Sequence, residues 1–385
     1  MADRPPAPSD GAVARGSRPR ARDGGPGASR PVGRDLEQRL LVLMGDVVAG
    51  REPREREIDD AFAGLLRGAG LTVVASRQGL RHPSFAELER DLFVRTSRVE
   101  RVSEWCVNVL EAAGVRCATL KGPALAVQLF GDDVTRPSSD VDVLVPRSEL
   151  DAALGAFHAA GLRAEARHAA WYERTWHCHA VFDGAPPDRG LPLEIHWSIA
   201  RPGLMHGRID GLFDHLIDVE CSGRRLPAPD LEWQLLVCAV HAAQHFFAPR
   251  PLLDLALVSR GLDESQWGAA ADRACALGLG PAVYYATTVS AARLGWRAPA
   301  AVEALEGLRP EAWREAIAQR AIARLPVTGV LPRDKLRFVK TVTPVLTTAA
   351  PWFVVGLAYQ LTDRPRVADA VWRRRLARRQ AGIGP

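Results

Sequence analysis

The sequence predicts an α+β protein in which a small mixed β-sheet with flanking helices is followed by a C-terminal helical domain. Three observations lead there. The β-branched run Ser139-Asp140-Val141-Asp142-Val143-Leu144-Val145 reads as a strand carrying two acids on one face. Residues 115–120 and 123–130 before it read as strand, turn and short helix. From about Leu204 onward, apolar residues recur every three or four positions, the period of helices.

A chain of 385 residues is long enough for two domains. Residues 1–34 hold seven Arg against three Asp and read as a disordered basic tail, too poor in apolar residues to offset the entropy of ordering. Residues 35–114 form a helical prelude, amphipathic over 36–48 and 85–113. The α/β core follows over 115–203. Within it, Ser148 and Asp151 form a capping-box-like start to a helix that Gly161 can end. Residues 176–182 and 191–199 read as strands joined by the turn-rich stretch 183–190, a hairpin that brings the second strand into the same sheet. Residues 204–361 are the helical substrate domain, with the boundary at 204–229 and helix starts at Asp230 and Asp263. Residues 362–385 form a second basic tail.

The net charge of +5 is misleading, because the two tails supply the excess and leave residues 35–361 near −4. Nucleic-acid binding, which calls for a basic face on the folded domain, is therefore not expected. Six cysteines show neither a Cys-x-x-Cys pair nor zinc-like spacing with histidine, and read as scattered thiols of a cytoplasmic protein. The N-terminus also lacks the apolar stretch of a signal peptide. Residues 342–361 are apolar and uncharged, but Pro344 and Pro351 interrupt them, which suits a packed helical hairpin better than a membrane span. A reversible membrane-surface contact through the basic tail stays open but is not favoured.

Asp140 and Asp142 would share a strand face opposite Val141, Val143 and Val145, a layout that core packing does not require. Adjacent carboxylates repel unless a cation lies between them, so a divalent-metal site competes with a solvated edge strand as the explanation. Glu194, in Leu193-Glu194-Ile195-His196-Trp197, would add a third carboxylate if its strand joins the same sheet. Three acids could then hold two Mg²⁺ and manage a proton. His196 is a partner that orients an acid, a substrate contact, or a hydrogen-bonded packing residue.

Lys121, one of only three lysines against 47 arginines, precedes Gly122 where a strand gives way to a helix, so ammonium and backbone amides could meet a phosphate. Arg136 is either a phosphate partner or one half of a loop salt bridge, while Ser138 and Ser139 are phosphate donors or turn formers. His241, His245 and Asp254 read as a polar cluster pinning helices or as one wall of an acceptor pocket, in preference to a metal site. His177 and His179 share a strand face and read as packing.

These segments resemble the uncharacterised nucleotidyltransferase family of the DNA polymerase beta-like nucleotidyltransferase superfamily. The likeness runs through Leu120-Lys121-Gly122, Leu129-Phe130-Gly131, Arg136, the Ser139–Val145 run and Glu194-Ile195-His196-Trp197. His241, His245 and Asp254 also look like family positions, and the resemblance spans about residues 36–360. It implies metal binding by Asp140, Asp142 and Glu194, a nucleotide-binding turn at Lys121 and Gly122 with Arg136 and Ser139 nearby, and Mg²⁺ as cofactor. The implied reaction moves a nucleoside monophosphate from a nucleoside triphosphate, ATP among the candidates, to an unknown small-molecule or peptide acceptor, releasing pyrophosphate. One departure stands out: Pro123 follows Gly122 where the superfamily carries Gly or Ser, removing an amide and a hydroxyl donor. The rival expectation is therefore an inert nucleotide-binding or scaffold protein with the same fold.

Overall fold

The structure, a computed structural model, describes residues 33–53, 55–164, 177–182, 184–201, 204–297 and 299–328. The expectations for residues 1–32, Trp176, the apolar stretch 342–361 and the tail 362–385 lie outside them.

Four helices open the described chain: α1 (Arg34–Ala49), α2 (Asp60–Ala69), α3 (Thr72–Arg77) and α4 (Phe85–Ala112). The amphipathic stretches 36–48 and 85–113 thus appear as α1 and α4. Asp59 caps α2 by accepting from the Phe62 amide at 2.8 Å. Gly45 lets α1 approach the C-terminal helices closely, since a Cβ there would stand 2.6 Å from the Leu294 carbonyl oxygen.

The central sheet comprises β1 (Ala118–Leu120), β2 (Val141–Leu144), β3 (His179–Phe182) and β4 (Leu193–His196) in the order β1-β2-β4-β3. It is mixed, as expected: β2 runs parallel to β4, while β1 and β3 are antiparallel to their neighbours. The β3–β4 hairpin does bring Glu194 into the sheet, directly opposite Asp142 in register. Val141, Val143, Val145, Leu193 and Ile195 are fully or almost fully buried in a cluster with Val99, Val102 and Leu110 of α4. Fully burying side chains of this size contributes roughly 1.5–3 kcal/mol each, which fixes the register and thereby the face on which the acids emerge.

Helix α5 (Gly122–Phe130) links β1 toward β2 and ends at Gly131, whose φ of 74° needs a residue without a Cβ. Helix α6 (Leu150–Ala159) follows β2, but Ser148 does not cap it. A 3₁₀ turn over Arg147–Glu149 absorbs that position instead, and the Glu149 carboxylate holds Arg116.

The segment 204–229, read as a domain boundary within a stretch of helical periodicity, instead holds a second, two-stranded sheet, β5 (Leu216–Cys221) and β6 (Arg224–Pro229). Ser222 and Gly223 form its turn with φ of 48° and 80°, the positive pair typical of a tight two-residue hairpin. Alternation of Ile217, Val219 and Cys221 with Asp218 and Glu220 carried that signal, which the prolines of β6 obscured.

Beyond it come α7 (Leu231–Gln244), α8 (Pro249–Gly261), α9 (Glu264–Ala276), α10 (Gly280–Leu294), α11 (Val302–Leu308) and α12 (Ala312–Ile322). Asp230 and Asp263 are the N-caps of α7 and α9, accepting from Trp233 and Gln266 amides at 2.9 Å each. Gln266 completes a capping box. Residues of α1–α3 share one hydrophobic cluster with α7–α10, so the opening helices also pack into the C-terminal helical core. Among the described residues, no helix is long and apolar enough to cross a membrane.

Candidate active site

A pocket of about 440 Å³ opens between the acid-bearing side of the sheet and helices α7 and α8. Lys121, Arg136, Ser139, Asp140, Asp142 and Glu194 all line it. His196, His241 and His245 line it as well. Ser138 also lines it, so ten of the twelve residues read as metal, phosphate or acceptor-pocket candidates meet there, and His179, read as packing, joins them. Of the other two candidates, Gly122 opens α5 beside Lys121, and Asp254 is buried behind Arg136.

Asp142 is the most engaged acid. The Lys121 ammonium lies 2.8 Å from its Oδ2, and His196 Nε2 donates to its Oδ1 at 2.9 Å. Burial alone would raise the carboxyl's pKa, but those two partners hold it well below the usual carboxylate range. Burial likewise opposes the imidazolium of His196, yet Asp142, Cys178 and Glu194 around it push its pKa well above the ordinary value. Lys121 follows the same logic: burial disfavours the ammonium, Asp142 more than compensates, and the pKa rises.

The backbone at Lys121 is equally specific. Its φ of 55° and ψ of −131° form a conformation that L-residues rarely adopt, costing about 1–3 kcal/mol. That conformation accompanies the ammonium's contact with Asp142. Pro123 occupies the first turn of α5, where an amide would have no intrahelical acceptor, so the helix tolerates it without losing a bond.

Glu194 Oε2 lies 3.3 Å from His196 Nε2 and 3.8 Å from His179 Nε2. The hydrogen bond from His196 lowers the Glu194 pKa, against the effect of burial. Asp140 sits just before β2, at the pocket wall. Its Oδ1 is 3.4 Å from Ser138 Oγ and 3.3 Å from Ser139 Oγ, so both serines serve the turn around this acid. Its Oδ2 has no hydrogen-bond partner among the described residues.

Arg136 and Asp254 form a two-pronged ion pair at 3.0 and 2.8 Å, each side chain only 3% exposed. The salt-bridge reading of Arg136 therefore describes two of its nitrogens. The third, Nη1, is buried without a partner. His241 and His245 contact edge to face at 4.3 Å between ring centroids. Burial, reinforced by Lys121, His245 and Arg136, drives the His241 pKa well below the ordinary value, leaving its ring neutral.

Arg250 and Gln244 escaped the sequence reading. Arg250 lines the pocket from the first turn of α8 with no hydrogen bond or ion pair among the described residues, and burial with Arg136 nearby lowers its pKa to about 10. The amide nitrogen of Gln244 is buried and unpaired. The only local signal for Arg250 was its position between Pro249 and Pro251, which fixes the backbone at a helix start. Cys178 was passed over as a scattered thiol, yet its Sγ lies 3.6 Å from His179 Nδ1. Bonds from His179 and His196 outweigh burial and bring that thiol's pKa down to about 6.

The donor chemistry suits a divalent cation. Ligand atoms of Asp142, Glu194 and His196 lie within 4.8 Å of one another. Lys121 and the protonated His196 already bring Asp142 the kind of positive charge such an ion would supply. Asp140 stands outside that close group.

The family model described as uncharacterised nucleotidyltransferase matches residues 85–295, from α4 to the end of α10 and more than half of the chain. No curated protein matches. A solved structure, the solution structure of the antibiotic-resistance factor ANT(2'')-Ia, aligns at 13% identity and a TM-score of 0.32, covering 47% of this chain and 94% of that one. That likeness is too distant to argue from. The family match falls on the segment that holds β1 to β4, the pocket and every site residue described above, and the chain belongs to the uncharacterised nucleotidyltransferase family.

Proposed function

We propose that the protein is a metal-dependent nucleotidyltransferase that moves a nucleoside monophosphate from a nucleoside triphosphate to a small-molecule or peptide acceptor, with pyrophosphate leaving. The observation that carries this reading is the meeting of Asp140, Asp142 and Glu194 with Lys121, Arg136 and Arg250 around one pocket of about 440 Å³. Acids alone would repel a triphosphate and cations alone would not activate an acceptor, whereas both together suit a metal-bound nucleotide.

Two Mg²⁺ ions held by Asp140, Asp142 and Glu194 would polarise the transferred phosphoryl group and lower the pKa of the acceptor hydroxyl. The protein's own groups do the remaining work. Arg250 and the unpaired Nη1 of Arg136 offer donors to phosphate oxygens without first breaking a bond inside the protein. Lys121 follows as a third cation. His196 keeps the Asp142 and Glu194 carboxylates oriented through its Nε2. Asp140, with one oxygen free of hydrogen bonds, takes the acceptor's proton. The neutral ring of His241 and the unpaired Gln244 amide form a polar wall without net charge, suited to an acceptor's hydroxyl or amide groups. With all six cysteines free, we place the activity in the reducing cytoplasm.

The second reading is a nucleotide-binding or scaffold protein without turnover. Its support is the internal neutralisation of Asp142, both of whose oxygens have cationic partners in the protein itself. Incubation with each α-labelled triphosphate, Mg²⁺ and a panel of hydroxyl and amine acceptors separates the two. The enzyme reading expects label in the acceptor and free pyrophosphate, both lost in Asp142→Ala and in Glu194→Ala. Product formation unchanged in those variants contradicts the two-metal scheme, and binding without product favours the second reading.

A further inference from the structure

The β3–β4 hairpin carries a second group of ligand atoms, which shares His196 with the acid site but adds Cys178 and His179, two residues the proposed reaction does not use. Cys178, His179 and His196 each place one ligand atom within 4.8 Å of the other two. Their backbone is held on a paired sheet: His179 faces His196 across β3 and β4, and the Trp197 amide donates to the Cys178 carbonyl at 2.9 Å. The rings of His179 and His196 stand 5.0 Å apart between centroids. Glu194 supplies an adjoining carboxylate, its Oε2 being 3.8 Å from His179 Nε2 and 3.3 Å from His196 Nε2. One thiol and two imidazoles on paired strands make up a three-ligand set, which leaves the fourth position of a tetrahedral ion to water.

We propose that Cys178, His179 and His196 bind a borderline-soft divalent cation of the Zn²⁺ class, the ion taking the place of a proton on the His196 imidazole. Ligand chemistry separates this site from the hard-ion site beside it. A thiolate and imidazoles favour Zn²⁺ and its neighbours in the first transition row, whereas Mg²⁺ requires oxygen ligands and keeps its waters. Cys178 and His179 are adjacent in sequence and His196 lies on the next strand, so the set arises from sheet register and shows none of the familiar zinc spacings. Binding here does not depend on the nucleotidyl-transfer reading.

The test uses the full chain, purified metal-free and reduced, and titrated with Co²⁺ as a spectroscopic probe. We expect one equivalent of Co²⁺ to give a thiolate-to-cobalt charge-transfer band, stoichiometric Zn²⁺ to remove it, and excess Mg²⁺ to leave it in place. C178S should abolish the band, and H179Q should weaken Co²⁺ binding at least ~10-fold. No such band in the wild-type protein overturns the proposal, as does a band that persists in folded C178S. Should C178S fail to fold by circular dichroism, H179Q decides, and unchanged Co²⁺ affinity in that variant overturns the site. Because every readout is absorption or affinity, failure here leaves the proposed transferase activity untouched, and failure of that activity leaves this site standing.

Discussion

Replacing Asp254 with alanine removes the only hydrogen-bond partner, among the described residues, of a guanidinium that has almost no contact with water. Arg136 and Asp254 are each 3% exposed, and two nitrogens of Arg136 reach the carboxylate at 3.0 and 2.8 Å. Solvent therefore screens this pair little, and breaking it from one side leaves a buried charge uncompensated, at a cost of about 3–5 kcal/mol. With roughly 2–4 °C of melting temperature per kcal/mol in large domains, Asp254→Ala should melt roughly 6–20 °C lower. The double variant Arg136→Met/Asp254→Leu removes both charges and the unpaired Nη1 together. It should regain most of the lost stability, because apolar replacements of buried ion pairs are often neutral. Urea midpoints at fixed pH, with thermal melts as a second probe, measure all three proteins. An Asp254→Ala loss below about 1 kcal/mol, or a double variant no more stable than the single one, refutes the reasoning.

Two further outcomes follow from the pocket. Arg250→Ala should weaken metal-nucleotide binding about 10–100-fold, the equivalent of one or two charge-assisted hydrogen bonds, while leaving the melting temperature nearly unchanged; a large drop in stability would show that Arg250 props the fold. The Asp142–His196 pair predicts a pH window. Asp142, with its pKa depressed from 3.8, contributes stability that is present above that value and lost as pH falls through its folded pKa. His196, with its pKa raised from 6.5, contributes stability that is complete below that value and lost as pH rises through its folded pKa. The urea-midpoint gap between wild type and His196→Gln should thus be widest between those values and shrink on the alkaline side, and a gap that widens there contradicts the pairing.

What the sequence made legible was the chemistry that local patterns encode. Alternation placed Asp142 opposite Val141 and Val143, and Glu194 opposite Ile195, which the sheet repeats. Asp230 and Asp263 were readable as caps because an N-cap needs only its own turn. What escaped depends on register or distant packing. The β5–β6 hairpin was hidden because Pro227 and Pro229 resemble a linker, although a strand of a two-stranded ribbon tolerates proline, and here both proline carbonyls accept from Thr119 and Gln128. Ser148 looked like a cap, but the chain takes a 3₁₀ turn before α6. The choice between two roles for Arg136 depended on Asp254, which lies 118 residues away. Arg250 gave no periodic signal, and the meeting of Cys178 with His179 and His196 appears only once β3 and β4 pair.

On the proposed function, the face bearing Asp142 and Glu194 binds a nucleotide through a divalent ion. Calorimetric titration with a non-hydrolysable triphosphate, with and without Mg²⁺, tests it most directly in wild type, Asp142→Asn and Glu194→Gln. Binding to the wild-type protein should depend on Mg²⁺, and each folded variant should bind at least ~10-fold more weakly, about 1.4 kcal/mol or more. Binding of equal strength without Mg²⁺, or undiminished in both variants, would contradict it.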